Sequence, residues 1–251
     1  MQTKQYLLTV SAGKRLIAKA VAALPTVKRA LISNTVVVTA GTTNGYVAEE
    51  LLASIGAGEG FNKAAFYRGA TTAPGRKAPT APAYQGDLVL ERGRWLRGRD
   101  IQEIGASLGH GDVLIKGANA IDAAHAQAGI LIGNPMLGTC MPVLQAVVGR
   151  RVELILPVGL EKRVTGDIHA IASLVNAPDA TGLRMLPVTG TIVTELEAIT
   201  TLTGATAQLV AAGGVFGAEG ACWVAVSGTA EQLAVADVLI ASVSHEAAFG
   251  E

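Results

Sequence analysis

The stretch Thr35-Val-Val-Val-Thr-Ala-Gly-Thr-Thr-Asn-Gly45 decides the fold. It begins with a short β-branched run, which is typical of a strand buried on both faces of a parallel sheet. A Gly/Thr turn follows, and the next residues, Tyr46-Val-Ala-Glu-Glu-Leu-Leu52, carry a helical pattern of apolar positions. The order of strand, Gly/Thr loop and helix predicts one unit of an α/β fold.

Further apolar runs along the chain extend this unit into a sheet. Residues 113–115, 130–132 and 154–156 are each flanked by helix-like segments. With residues 36–38 they predict a mostly parallel, Rossmann-like open sheet with helices on both faces. Upstream, residues 11–24 have apolar positions at helical spacing, and Ser11 is placed to cap that helix.

The last third of the chain has a different order of elements. After Gly166 the pattern predicts helices and strands in alternation, ending in two strands at residues 207–212 and 221–226 joined by a glycine-rich turn, and a final helix at 230–243. This order suits a small α+β subdomain with an antiparallel hairpin. We therefore predict two domains, an α/β ligand-binding domain at 1–163 and the α+β subdomain at 164–251.

The distribution of charge supports that division. The chain is globular in composition, with 50% hydrophobic and 16% charged residues and no formal net charge. Residues 1–163 hold 19 Lys/Arg and 11 Asp/Glu, whereas residues 164–251 hold 1 and 9. A neutral chain argues against generic nucleic-acid binding, and its basic first part favours an anion as ligand.

The cysteine, histidine and hydropathy patterns argue against a secreted, a membrane-bound or a metal-binding protein. Two cysteines make no disulfide framework, and no signal-peptide pattern follows Met1, so a cytoplasmic protein is expected. The uncharged stretch at 126–149 is interrupted by polar residues, which indicates buried globular structure and no membrane association. The four histidines show no ligand pairing and neither cysteine belongs to a CxxC motif, so we predict no metal and no cofactor.

Residues 56–86 interrupt the regular pattern with Gly, Pro, Ala and Thr. They predict a long surface loop. Loops of this length are often lids or binding segments, and a simple connection explains the composition equally well.

The Gly/Thr turn is the strongest candidate for chemistry. A glycine-rich turn before a helix presents backbone N–H groups to an anion at the helix N-terminus. The predicted ligand-binding residues in this turn are Gly41, Thr42, Thr43, Asn44 and Gly45. An ordinary strand-to-helix turn is the competing interpretation.

A second candidate is Asp112-Val-Leu-Ile-Lys-Gly-Ala-Asn-Ala-Ile-Asp122, where a strand is followed by polar residues. Ligands of open α/β sheets bind at the carboxyl ends of strands. Lys116 would pair with an anionic group, Asn119 would orient a carbonyl or hydroxyl, and Asp122 would act as a base or hold Lys116. Gly117 lies between them, and Gly138 and Thr139 would add donors from a third Gly-rich region. A solvated strand terminus is the alternative.

These two loops resemble those of the superfamily that contains ribose-5-phosphate isomerase, glucosamine-6-phosphate deaminase, CoA transferases and initiation-factor-2B-like proteins. The isomerases carry a D-G-A-D-E-V-D motif, to which Lys116-Gly-Ala-Asn-Ala-Ile-Asp122 is similar in spacing. Gly117, Ala118 and Asp122 match, whereas Lys116, Asn119 and Ala120 replace acidic residues. The resemblance therefore implies a phosphate- or CoA-binding pocket without the isomerases' proton shuttle.

Three functions remain open from the sequence. The first is an isomerase- or transferase-like enzyme acting on a phosphorylated or CoA-linked metabolite, with Asp122, Lys116 and Glu161 as candidate catalytic residues. The second is a non-catalytic sensor or assembly subunit that has lost the superfamily's acids. The third is a structural protein whose Gly-rich packing serves assembly. The expected partners are a small anionic metabolite and further copies of the chain in a homo-oligomer.

Overall fold

A computed structural model describes residues 1–69, 71–72, 74–75 and 86–249. The strands are β1 (Gln2–Leu8), β2 (Thr35–Val38), β3 (Leu88–Glu91), β4 (Arg94–Trp95), β5 (Val113–Ile115), β6 (Ala120–Asp122), β7 (Gln127–Ile132), β8 (Glu153–Pro157), β9 (Arg184–Val188), β10 (Thr191–Val193), β11 (Thr206–Ala212) and β12 (Cys222–Gly228). The α-helices are α1 (Val10–Ala23), α2 (Pro25–Ser33), α3 (Thr42–Ser54), α4 (Ile101–Ile104), α5 (Cys140–Leu144), α6 (Ile168–Val175), α7 (Glu195–Thr203) and α8 (Ala230–Val243).

The main sheet has six strands in the order β10-β8-β5-β2-β3-β4. Its first four strands are parallel neighbours, and β3 and β4 extend it as an antiparallel edge. The chain is therefore an α/β protein with a mixed sheet. Residues 36–38, 113–115 and 154–156 lie side by side in it, as the apolar runs predict.

Alternate residues of the central strands supply two hydrophobic cores. Val36 and Val38 pack with α1, α2, α3, α7 and α8 on one face of the sheet. Val37 points to the other face, where it joins Ile101, Val143 and the strand β7. Both faces of β2 are thus covered, which is the environment that its unbroken valine run indicates.

The expectation that residues 130–132 belong to the main sheet is wrong. They lie in β7, which pairs antiparallel with β6 and β9 in a separate three-stranded sheet. The chain reverses after β6 in a turn held by the Asp122 carboxylate, and β7 therefore folds back on β6. An apolar run has the same appearance in either kind of sheet, so its composition alone did not reveal this pairing.

The predicted hairpin of the last third is confirmed, because β11 and β12 pair antiparallel. An additional strand, β1, which was not predicted from the sequence, pairs antiparallel with the other edge of β12. Three strand pairs, β1–β12, β7–β9 and β8–β10, join segments on opposite sides of residue 163. The division into two domains stays a prediction.

Two helix starts differ from the sequence-based prediction. Helix α3 begins at Thr42 rather than near Tyr46, so most of the predicted loop forms its first turn. Helix α1 is capped by Thr9, whose hydroxyl accepts a hydrogen bond from the Ala12 N–H, and Ser11 is buried inside the helix. Propensity patterns locate helix ends poorly because caps depend on local backbone geometry.

Much of the 56–86 segment lies outside the described residues. Its described part includes a short 3-10 helix at Lys63–Ala65, which contacts α3. In the described ranges, no helix combines the length and apolar character needed to cross a membrane.

Candidate functional site

A cavity of about 790 Å³ lies at the carboxyl ends of β2, β5 and β8. Thr39 and Ala40 follow β2, Lys116 and Gly117 follow β5, and Lys162 follows β8. Segments from α1 and β7 also line it, and the wall includes residues 68, 69, 71, 133, 134, 137–140 and Phe249. The position agrees with the general placement of ligands in open α/β sheets.

The structure brings most of the sequence-predicted residues to this cavity. Those that line it are Gly41, Thr42, Thr43, Asn44, Lys116, Gly117, Asn119, Gly138 and Thr139. Gly45, Asp122 and Glu161 are not among its lining residues. The turn before α3 and the end of β5 therefore face the same space, whereas two of the three candidate catalytic residues lie elsewhere.

The charged lining of the cavity is entirely basic in the part of the chain that the structure describes. Lys14, Arg68, Lys116 and Lys162 line it, and no Asp or Glu does. Of these four, only Lys116 was predicted from the sequence, whereas Lys14, Arg68 and Lys162 were not. The contribution of these three residues depends on how α1, the 66–69 segment and the segment after β8 fold over the strand ends.

The first turn of α3 presents backbone N–H groups toward this cavity. No described side chain caps the helix, and the N-cap residue Gly41 has an extended backbone conformation. Lys162 Nζ donates to Thr43 Oγ1 over 3.4 Å, which places an ammonium group beside the helix N-terminus. Free N–H groups and an adjacent cation are a favourable environment for an anion.

Asn44 fixes the start of α3 to the ends of two strands. Its Nδ2 group donates to Thr39 O at 2.8 Å and to Ile115 O at 3.3 Å. Its Oδ1 atom is buried and accepts no hydrogen bond from the described residues. Asn44 lines the cavity, so a hydroxyl or amine donor on a ligand would satisfy this oxygen.

Lys116 lies at the end of the central strand β5 and is only 8% exposed. Its Nζ group donates to Thr139 Oγ1 at 3.0 Å. Burial lowers the pKa of Lys116, an effect that the nearby Cys140 and Asp87 oppose and that Arg68 reinforces. Burial also raises the pKa of the Cys140 thiol, which keeps this cavity-lining cysteine protonated.

A pair of glutamates lies behind Lys14 and Lys162. Glu195 is buried, and its Oε2 atom accepts a hydrogen bond of 2.9 Å from Leu160 N. Burial, reinforced by the charge of Glu161, raises the pKa of Glu195 to about 7. Lys162 Nζ lies 3.9 Å from Glu161 Oε1. For Lys14, burial lowers the pKa, while Glu161 and Glu195 oppose that effect.

Glu195 was missed by the sequence analysis, although the sequence holds one signal for it. Its position after Thr194 is typical of an acid in the first turn of a helix, and Thr194 with Glu197 forms a capping box there. That role belongs to Glu197, whereas the side chain of Glu195 packs against Gly13 of α1. A glycine at position 13 leaves room for the carboxylate, and this close approach is visible only in the folded chain.

Asp122 and Gly45 have local roles in the structure. The Asp122 carboxylate accepts hydrogen bonds from Ala124 N and His125 N, and its Oδ2 atom lies 2.7 Å from His125 Nδ1. The contact with His125 lowers the pKa of Asp122 and raises that of the histidine. Gly45 allows Lys63 to approach α3, since an added Cβ would lie 3.0 Å from Lys63 Cγ.

In residues 1–69, 71–72, 74–75 and 86–249, no group of three or more His, Cys, Asp or Glu residues has an arrangement suited to holding a metal ion. No family model, curated protein or solved structure matches this chain. The superfamily resemblance therefore stays a prediction.

Proposed function

We propose that this cavity binds a small anionic metabolite, with a phosphate or similar group held at the N-terminus of α3. The observation that carries the proposal is the charge of the lining, where four basic side chains and no described carboxylate face one space. Such a concentration of basic side chains in a partly enclosed site favours anions and disfavours cations.

The anion subsite in this proposal consists of the Thr42 and Thr43 amides and the ammonium group of Lys162. Lys162 is already within hydrogen-bonding distance of Thr43 Oγ1, so a phosphate at the helix end would contact both. The cavity volume of about 790 Å³ leaves space for the rest of a phosphorylated metabolite or for part of a CoA derivative.

The proposal includes a Rossmann-like core for the main sheet. The parallel strands β2, β5 and β8, with the ligand at their carboxyl ends, would form the Rossmann-like core of the isomerase, deaminase and CoA-transferase superfamily. Binding without catalysis is the second candidate function. It is favoured by the location of Asp122 and Glu161 outside the lining, since these are the acids the catalytic hypothesis required.

Calorimetric titration with inorganic phosphate and sn-glycerol 3-phosphate tests the proposal. Lys162→Met removes a charged contact worth about 1.5–3 kcal/mol, so we expect an affinity loss of roughly 10-fold to 150-fold. Lys28→Met, which removes an exposed lysine of α2 that does not line the cavity, is the matched control and should bind as the parent does. Absence of binding by the parent, or equal affinities for the parent and Lys162→Met, would contradict the proposal.

A further inference from the structure

The three lysines that line the cavity differ in their partners. Lys162 lies 3.9 Å from a Glu161 carboxylate oxygen, and Lys14 interacts electrostatically with Glu161 and Glu195. Lys116 donates to the Thr139 hydroxyl and forms no ion pair with the described residues. Among the described residues, Asp87 is thus the one carboxylate that acts on Lys116, and it does so through space, whereas Lys14 has two glutamates near its charge and Lys162 has Glu161 beside it.

The surroundings of Lys116 favour an uncharged amine. Its side chain is buried, and Arg68, Lys14 and Lys162 line the same space. Desolvation and neighbouring cations are the two conditions that convert a lysine into an amine nucleophile at neutral pH. The hydrogen bond with Thr139 Oγ1 holds the amine at the end of β5, where a ligand in the cavity can reach it.

We propose that Lys116 forms a Schiff base with the carbonyl carbon of an anionic aldehyde or ketone bound in the cavity. This inference rests on the proposed function for the anion subsite at α3. The substrate class is thus a small phosphorylated or carboxylated carbonyl compound, with its anionic group at Thr42, Thr43 and Lys162 and its carbonyl group at Lys116. The unsatisfied Asn44 Oδ1, between the end of β5 and α3, would accept a hydrogen bond from a hydroxyl next to the carbonyl.

The covalent step is a condensation with loss of one water. The lone pair of the Lys116 amine attacks the carbonyl carbon, a C–N bond forms, and the carbonyl π electrons move to oxygen. The Thr139 hydroxyl is placed to relay the nitrogen proton to that oxygen. The resulting carbinolamine takes a proton from solvent and expels water, which leaves a protonated imine and no net oxidation or reduction.

Reductive trapping tests this inference. The probe is glycolaldehyde phosphate with sodium cyanoborohydride, which reduces an imine to a stable secondary amine. Modification of Lys116 blocks tryptic cleavage there, so the product is a single modified peptide spanning residues 100–150. We expect saturable labelling of that peptide in the parent, its suppression by excess inorganic phosphate, and its loss in Lys116→Arg, which keeps a long basic side chain but has no primary amine.

Two further variants make the outcome specific. Lys28→Arg changes an exposed lysine and should label as the parent does. Lys4→Arg changes a second exposed lysine, outside the cavity lining, and should also leave the Lys116 peptide labelled. Equal labelling of Lys14, Lys116 and exposed lysines, or absence of the adduct in a parent that binds sn-glycerol 3-phosphate, would overturn the inference.

The trapping and titration results separate the two proposals. Binding of sn-glycerol 3-phosphate without an adduct at Lys116 leaves the anion site standing and removes the Schiff base. The opposite result is an adduct at Lys116 that excess phosphate does not suppress, in a parent that binds no phosphate by calorimetry. That result supports the amine chemistry and removes the anion subsite at α3.

Discussion

Two walls of the same cavity carry lysines in opposite electrostatic settings. The strand-end wall, formed by Lys116, Thr139 and Asn44, has a buried amine whose hydrogen-bond partner is a neutral hydroxyl. The glutamate-backed wall, formed by Lys14 and Lys162, has two ammonium groups with Glu161 and Glu195 behind them. Because a carboxylate stabilises a nearby ammonium, the second wall is suited to holding an anion and the first to amine chemistry.

The largest expected effect that tests this contrast is on stability. Burial raises the pKa of Glu195 from 4.5 to about 7, so the folded state favours the protonated form. The contribution of protonated Glu195 to the free energy of unfolding is fully present below pH 4.5. About 3 kcal/mol of this free energy is lost as the pH rises through 7. Glu195→Gln keeps an acceptor for Leu160 N and removes the titration, so its unfolding free energy should exceed that of the parent at pH 8.

Denaturant unfolding of the parent and Glu195→Gln between pH 4.5 and 8 measures this difference. The exposed Glu59→Gln serves as control and should keep the pH profile of the parent. Parallel pH profiles for the parent and Glu195→Gln would show that the pKa of Glu195 is not raised in the folded protein. The contrast between the two walls would then lose its electrostatic basis on the glutamate side.

The next effect compares the two walls directly by phosphate affinity. Lys162→Met should cost roughly 10-fold to 150-fold, since it removes a charged donor from the helix end. Lys116→Met should cost less, roughly 2-fold to 13-fold, because burial disfavours the charged form of this lysine and a hydrogen bond without full charge contributes about 0.5–1.5 kcal/mol. Isothermal titration at pH 7 with both variants decides the order. A larger loss for Lys116→Met would make Lys116 the principal anion contact.

A third prediction concerns the strand-end wall alone. Asn44→Ala removes the donors to Thr39 O and Ile115 O, and we expect it to lower the unfolding free energy by about 1–2 kcal/mol. Asn62→Ala, which removes an exposed cap of the short 3-10 helix, should cost less. If urea unfolding ranks the two variants in the reverse order, Asn44 is not what joins α3 to the ends of β2 and β5.

The smallest expected effect is the pH dependence of sulfate affinity. Sulfate does not titrate near neutrality, so a change with pH reports on the protein. Protonation of Glu195 below pH 7 removes a negative charge behind Lys14 and Lys162, and affinity should rise by less than about tenfold as the pH falls from 8 to 6. The rise should be absent in Glu195→Gln, and a rise of equal size there would assign it to other groups.

The amino-acid sequence by itself determined the unit around residues 35–52 and the two polar segments that follow β2 and β5. These features are local, because valine runs, glycine-rich turns and helical periodicity are encoded within a few residues of one another. Local patterns of this kind predicted the parallel neighbours β2, β5 and β8 and the β11–β12 hairpin. They also predicted that residues 41–44 and Lys116 face one cavity. Parallel strand ends share one edge of a sheet, so their loops meet without further information.

Only the tertiary structure decided the pairing of β1 and β7 and the arrangement of charge around the cavity. An apolar run such as β7 fits either a parallel or an antiparallel partner, and β1 has four exposed residues at its start that conceal its register against β12. Lys14, Arg68 and Glu195 are separated by long stretches of chain, and their proximity depends on how α1, the 66–69 segment and α7 pack on the sheet. Electrostatic interactions act through space, so the difference between the two walls exists only in the folded molecule.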